Sequence, residues 1–215
     1  MDRRRIKMKA TIMNIKLVLL GCLTLLAGLY ACGVQTQAGN GFLSDYSKLQ
    51  KNPRYEGSQI YSNPETSLKN YSRFIVNPVQ VRLSSLGAHR SADSNKLQEI
   101  SQYAHQQFVT ALQTNGYPVV TDPGPGTLIL RSALTEIAPS ALKSRSFLMN
   151  ISLGGASIEA EFVDALSGEV VVAVMESQRG KITSSGSNEY ENAKNVIDRW
   201  AARLVQRLDE EHGKQ

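Results

Sequence analysis

Cysteine and histidine are scarce in this 215-residue chain, and their scarcity removes whole classes of chemistry. The two cysteines, Cys22 and Cys32, both lie at or before position 32, so everything after Cys32 lacks a thiol. A structural disulfide, a cysteine-rich zinc site and a cysteine nucleophile are therefore excluded from the body of the protein. Histidine stands only at His89 in a polar connector, His105 beside Ala104 at the solvent boundary of a helix, and His212 in a terminal tail. No Gly-x-Ser-x-Gly elbow and no His-Glu-x-x-His pattern occurs. Gly180-Lys181 lacks the earlier glycine of a phosphate loop, since Met175 stands five places before Gly180. No catalytic residue, metal or cofactor is assigned, and the chain is not expected to be an enzyme.

An excess of positive charge is also missing from the body. The formal net charge of +5 resides in the leader, where Arg3, Arg4, Arg5, Lys7, Lys9 and Lys16 face a single acid, Asp2. Taking these away from 24 basic and 19 acidic residues leaves 18 of each, so the remainder is formally neutral. Composition gives no reason to expect nucleic acid as a partner.

The basic leader is followed by Leu17 to Ala31, an uncharged and largely apolar run of 15 residues. This is the order of an export signal, and the run is shorter than the ~20 residues a membrane-spanning helix needs. It ends in Leu29-Tyr30-Ala31-Cys32, which resembles a bacterial lipoprotein signal, apart from Tyr30 where a small or β-branched residue is usual. The resemblance implies a signal peptide over 1–31, with a diacylglycerol thioether on Cys32, which becomes the acylated N-terminus. Gly33, rather than Asp, follows the cysteine and favours the periplasmic face of the outer membrane. Cleavage after Ala38, an uncleaved leader, and Cys22 as the acceptor are the alternatives.

Residues 32–70 carry Gly, Ser, Asn, Gln and Tyr with little sustained periodicity and read as the lipidated cysteine followed by a tether and docking segment. Within it, Gly41-Phe42-Leu43-Ser44-Asp45-Tyr46 sets apolar beside polar residues, a pattern suited to docking on a domain surface. A single domain is expected over 71–212. Phe74 to Val81 is rich in β-formers, with Pro78 placing it at an edge or bulge. Leu97, Ile100, Ala104, Phe108, Ala111 and Leu112 form one helical stripe, starting near Asp93 or Ser94 and stopped by Asn115-Gly116. A turn over Asp122 to Gly126 leads into a strand over Thr127 to Ile137. Whether Ser140 to Gly155 is strand or buried loop is left open by its pattern. Ala156 to Val163 and Val170 to Met175 form an antiparallel hairpin around Asp164 to Glu169. A last helix follows, capped by Asn188, with Ala193, Val196, Ile197, Trp200, Ala201, Leu204 and Leu208 on its apolar face; Trp200 is expected to anchor the core. The fold class is α+β: a two-layer domain, a largely antiparallel sheet with two amphipathic helices on one face, after a flexible tether.

The leader, Gly41-Phe42-Leu43-Ser44-Asp45-Tyr46-Ser47-Lys48-Leu49, Asn77-Pro78-Val79, and Ile158 to Asp164 followed by Ser167-Gly168-Glu169 together resemble a group of proteobacterial lipoproteins catalogued as domain of unknown function 3313. The similarity runs from residue 41 to about 210, and it implies no activity that can be placed on residues.

Two side-chain groups remain as candidate sites. Glu159 and Glu161 project from one strand face two residues apart, a spacing that suits acid–base work or a hard cation, but a solvated strand face is the expectation. Lys143, Arg145, Arg179 and Lys181 fall near strand ends and can form a basic rim for an anion, a lipid head group or an acidic partner. The expected function is that of a non-catalytic lipoprotein fixed to the membrane by its anchor and acting through envelope proteins or polymers. The alternative is a small-molecule or lipid-binding domain with an apolar pocket between Phe147 to Leu153 and the helices, of ~300 Å³ or more.

Overall fold

Residues 41–83, 93–138, 155–179 and 190–214 are described by a computed structural model. Cys32, the connector with His89, the stretch Ser140 to Gly154 and the cap candidate Asn188 lie outside the described residues.

Helical periodicity is realised in α1 (Ser94–Thr114), which buries Ile100, Ala104, Phe108 and Leu112, one residue per turn. The Asp93 side chain caps it by accepting hydrogen bonds from the backbone N–H of Asn95 and Lys96. The second helix, α2 (Glu191–His212), buries Ala193, Val196, Ile197, Trp200, Ala201, Val205 and Leu208 and ends at Gly213 in the left-handed conformation. The expected stripe is therefore shifted at one place. Val205 is buried, whereas Leu204 is only partly so. His212 lies in the last turn of α2 rather than in a frayed tail.

The strands are β1 (Gln50–Lys51), β2 (Ser58–Ser62), β3 (Arg73–Val76), β4 (Gln80–Val81), β5 (Thr127–Ala138), β6 (Gly155–Asp164) and β7 (Val170–Arg179). They form one mixed, mostly antiparallel sheet in the order β1-β2-β7-β6-β5-β3, with β4 also parallel to β5. The expected β6–β7 hairpin is present, and Pro78 separates two short strands at the sheet edge, where a missing N–H is tolerated. Both helices lie on one sheet face, with Leu130, Leu134, Ile158, Val196, Ile197 and Trp200 in a common core.

Residues 41–70, read from sequence as tether and docking segment, are built into the fold. Ser58 to Ser62 pair with Glu176 to Val172, adding β2 beside β7. Leu43 is buried on the other sheet face with Ala173 and Met175. Period-2 patterning is faint in Ser58-Gln59-Ile60-Tyr61-Ser62 because a strand near the sheet edge, flanked by only the two-residue β1, needs few apolar side chains when its backbone is paired.

One clasp ties β3 to the β6–β7 turn. Asp164 accepts hydrogen bonds from the Ser167 and Leu166 N–H at 2.7 and 2.9 Å, and from the Tyr71 hydroxyl at 2.9 Å. Burial, and then the bond to Asp164, push the Tyr71 hydroxyl up to about 12. In the unfolded chain the same phenol ionises near 10. A group whose pKa is raised by folding contributes stability that is full below the unfolded value and is lost as pH climbs through the folded one. The urea midpoint should therefore fall between pH 10 and about 12, and Tyr71→Phe should make that slope shallower without removing it, because the Tyr46, Tyr103 and Tyr117 hydroxyls are raised too; an unchanged slope in the variant would contradict this role for the clasp.

Candidate functional site

Register across the sheet builds the floor of a cleft. On the helix-facing side, Leu130, Phe162, Val172 and Ser62 form one row, Ala160, Val174 and Ile60 the next, and Leu134, Ile158, Glu176 and Ser58 the third. Helix α2 covers part of these rows, and the chain between β1 and β2 stands across from it. Between them lies a cavity of about 290 Å³. Its walls are apolar, from Ile60, Leu68, Phe108, Phe162, Val174 and Leu204 among others. Leu130 and Leu208, almost fully buried, mark its depth, whereas the half-exposed Arg54 and Arg207 mark its mouth. Leu204 escapes full burial because it overhangs this space.

Polar groups converge on the same cleft. Glu176 is only 5% exposed, on the apolar side of the sheet. Its Oε1 accepts hydrogen bonds from Trp200 Nε1 at 3.0 Å, from Arg203 Nη1 at 2.6 Å and from Gln178 Nε2. A buried carboxylate needs such partners, and here the tryptophan expected as a core anchor is also a donor. The Arg203 guanidinium lies over the Tyr55 ring, 4.0 Å from its centre. Nearer the mouth, Arg54 Nη1 lies 2.5 Å from Glu210 Oε2, and Arg207 Nη1 reaches the same oxygen at 3.5 Å. Arg207 Nη2 also meets Glu211 Oε1 at 2.6 Å. The Arg54 guanidinium, hydrogen-bonded to Glu210, holds that carboxyl below its ordinary range.

The acidic pair singled out in the sequence has a different fate from the one expected. Glu159 and Glu161 are each 1% exposed. The segment after Gly41 covers them. Ser44 donates to Glu161 from its backbone N–H at 2.5 Å and from its hydroxyl at 3.2 Å, and Arg131 Nη2 completes the set. The Tyr46 hydroxyl donates to Glu159 Oε2 at 2.5 Å while accepting from the N–H of Phe42 at 2.8 Å. Burial, then the bond to Glu159, push the Tyr46 hydroxyl upward. The pair anchors a covering strap, and the expected solvated face is corrected accordingly. Among the described residues no group of three or more His, Cys, Asp and Glu side chains is arranged to hold a metal ion.

Of the candidate basic rim, Lys143, Arg145 and Lys181 lie outside the described residues, and Arg179 is described only as the last residue of β7. The stretch Phe147 to Leu153, expected to wall a pocket, also lies outside them; the cavity found is lined by other residues. The ring nitrogens Nδ1 of His105 and His212 lie 3.2 and 2.7 Å from the carbonyl oxygens of Asn77 and Leu208. Sequence reasoning missed Arg54, Tyr55, Glu176, Arg203 and Arg207. The available signal was faint: Arg203 and Arg207 flank Leu204 and Leu208 on α2, an arrangement that also describes an ordinary solvated helix edge.

A family model described as "Protein of unknown function (DUF3313)" matches residues 38–204. The chain is 26% identical over 181 residues to a protein of Escherichia coli strain K12 named "Uncharacterized lipoprotein YdcL", covering 74% of this chain and 80% of that one. Among solved structures, the PelC dodecamer from Paraburkholderia phytofirmans aligns with a TM-score of 0.41 at 12% identity, over 74% of this chain and 97% of that one. Lipoprotein GNA1162 from Neisseria meningitidis aligns with a TM-score of 0.36 at 13% identity, over 64% and 96%.

Proposed function

Because this chain belongs to the DUF3313 family, described only as proteins of unknown function, we propose from its own geometry that it is a lipid-anchored binding protein of the bacterial envelope. Cys32 carries the anchor, residues 1–31 are removed, and the domain works without catalysis on the periplasmic face of the outer membrane. The leader pattern supports this reading, as does the name of the Escherichia coli relative. Of the two modes of action that composition leaves open, ligand binding is favoured over surface contact by one observation, the apolar cleft of about 290 Å³ between β2 and α2. That size lies just under the small end of the range for ligand pockets, roughly 300–1,000 Å³.

Trp200, the only tryptophan, lines this cleft and reports on it directly. Full-length protein in detergent-free lipid discs, titrated with a bromine-substituted long-chain alcohol, should lose Trp200 fluorescence in a saturable way. Val174→Phe, which places a ring in the cleft without adding a tryptophan, should abolish at least nine-tenths of that quenching. Quenching that is absent in the parent protein, or equal in the variant, would overturn the binding reading.

A further inference from the structure

We infer that the cleft takes a single-chain anionic amphiphile, its hydrocarbon chain lying over Phe162 and Val174 and its acidic head held at the mouth by Arg54 and Arg207. The inference rests on the binding reading above and adds the chemical class of the ligand. The lining of the cleft is mostly hydrocarbon and ring, so most of what fills it must be apolar. Its one buried carboxylate, Glu176, is already engaged by Arg203, Trp200 and Gln178 through a single oxygen. A cationic head at this end would meet Arg203 as well as Glu176, and a cation is disfavoured.

The mouth is built the opposite way. Arg54 Nη1 and Arg207 Nη1 touch one oxygen of Glu210 at 2.5 and 3.5 Å, so the two nitrogens stand within roughly 6 Å of each other, inside a Debye length. Each guanidinium has five N–H donors, and the contacts to Glu210 and Glu211 occupy only part of them. All three pairs are partly exposed, and pairs of that kind hold their partners weakly. A carboxylate or phosphate can therefore join the cluster through two-pronged, charge-assisted bonds without first breaking a buried ion pair. The volume admits one chain more readily than the two of a common membrane phospholipid.

The test uses full-length protein in neutral-lipid discs at pH 8, with bromine-substituted probes of one chain length: a fatty acid, a monoacyl phosphate and the alcohol. The acid or the phosphate should quench Trp200 with at least tenfold higher apparent affinity than the alcohol, and the better of the two identifies the preferred head. Arg54→Gln with Arg207→Gln, both at the exposed mouth, should remove most of that preference, read as the ratio of acid or phosphate affinity to alcohol affinity within the one protein. Equal affinities of all three probes, or an acid and phosphate preference untouched by the double substitution, would overturn the ligand class while leaving the cleft a binding site. Failure of every probe to quench would instead overturn the binding reading itself.

Discussion

Glu161→Ala lowers the melting temperature by roughly 5–10 °C and makes the chain between Gly41 and Leu49 a site of rapid proteolysis. Glu161 sits between Arg131 and Ala173 in the sheet register and is almost fully buried. It receives the Ser44 N–H, the Ser44 hydroxyl and Arg131. Hydrogen bonds to a charged group contribute about 1.5–3 kcal/mol each when net effects are measured, and a donor left without its acceptor adds its own desolvation cost. Arg131 is 40% exposed and the hydroxyl of exposed Ser44 is also free to turn to water, so both shares are discounted, the Ser44 N–H bond is counted in full, and the total is set at about 2–3 kcal/mol. In a chain of this size each kcal/mol shifts melting by about 2–4 °C. Lys96→Ala is the contrast, because the Lys96–Glu99 pair is exposed on α1 and its removal should leave the melting temperature nearly unchanged. A Glu161→Ala protein that melts with the parent, its strap still protected from protease, would show that the buried carboxylates do not hold that segment.

The strap also explains which parts of the fold could be read in advance. Periodicities of 3.6 and 2 are local, so α1, α2 and the β6–β7 hairpin were legible from Ile100 to Leu112, Ala193 to Leu208, and Ile158 to Phe162. The burial of Glu159 and Glu161 was not, because the groups that cover them come from 113 and 117 residues away. Alternation placed both glutamates on the face opposite Ile158, but it carries no information on whether a distant segment lies over that face. The same limit hid β2, whose partner β7 is more than a hundred residues later. It hid the mouth of the cleft as well, since Arg54 and Arg207 become neighbours only once β2 has joined the sheet beside β7. Residues whose role depends on a single long-range pairing leave little trace in sequence pattern.

Cys32→Ala reduces incorporation of labelled fatty acid to background and leaves a precursor larger by the 31 residues of the leader. The anchor's hold follows from chain length, since each buried methylene is worth ~0.8 kcal/mol and one acyl chain alone gives only reversible attachment. A diacylglycerol together with an N-acyl group is therefore an anchor that does not release on the timescale of the cell. Placement of the anchor matters equally. Eight residues lie between Cys32 and Gly41, where the described domain begins. On the reading proposed above, a domain anchored through Cys32 would draw its ligands from, or deliver them to, the lipid surface, and this would give an amphiphile-binding cleft its use.

The intact mass of the mature chain, extracted from the envelope without hydrolysis, tests this attachment most directly. The account predicts a polypeptide beginning at Cys32 and heavier than its sequence by one diacylglyceryl and one acyl group. A chain that starts at Gly39 with no added mass, or one that retains Met1, would contradict it.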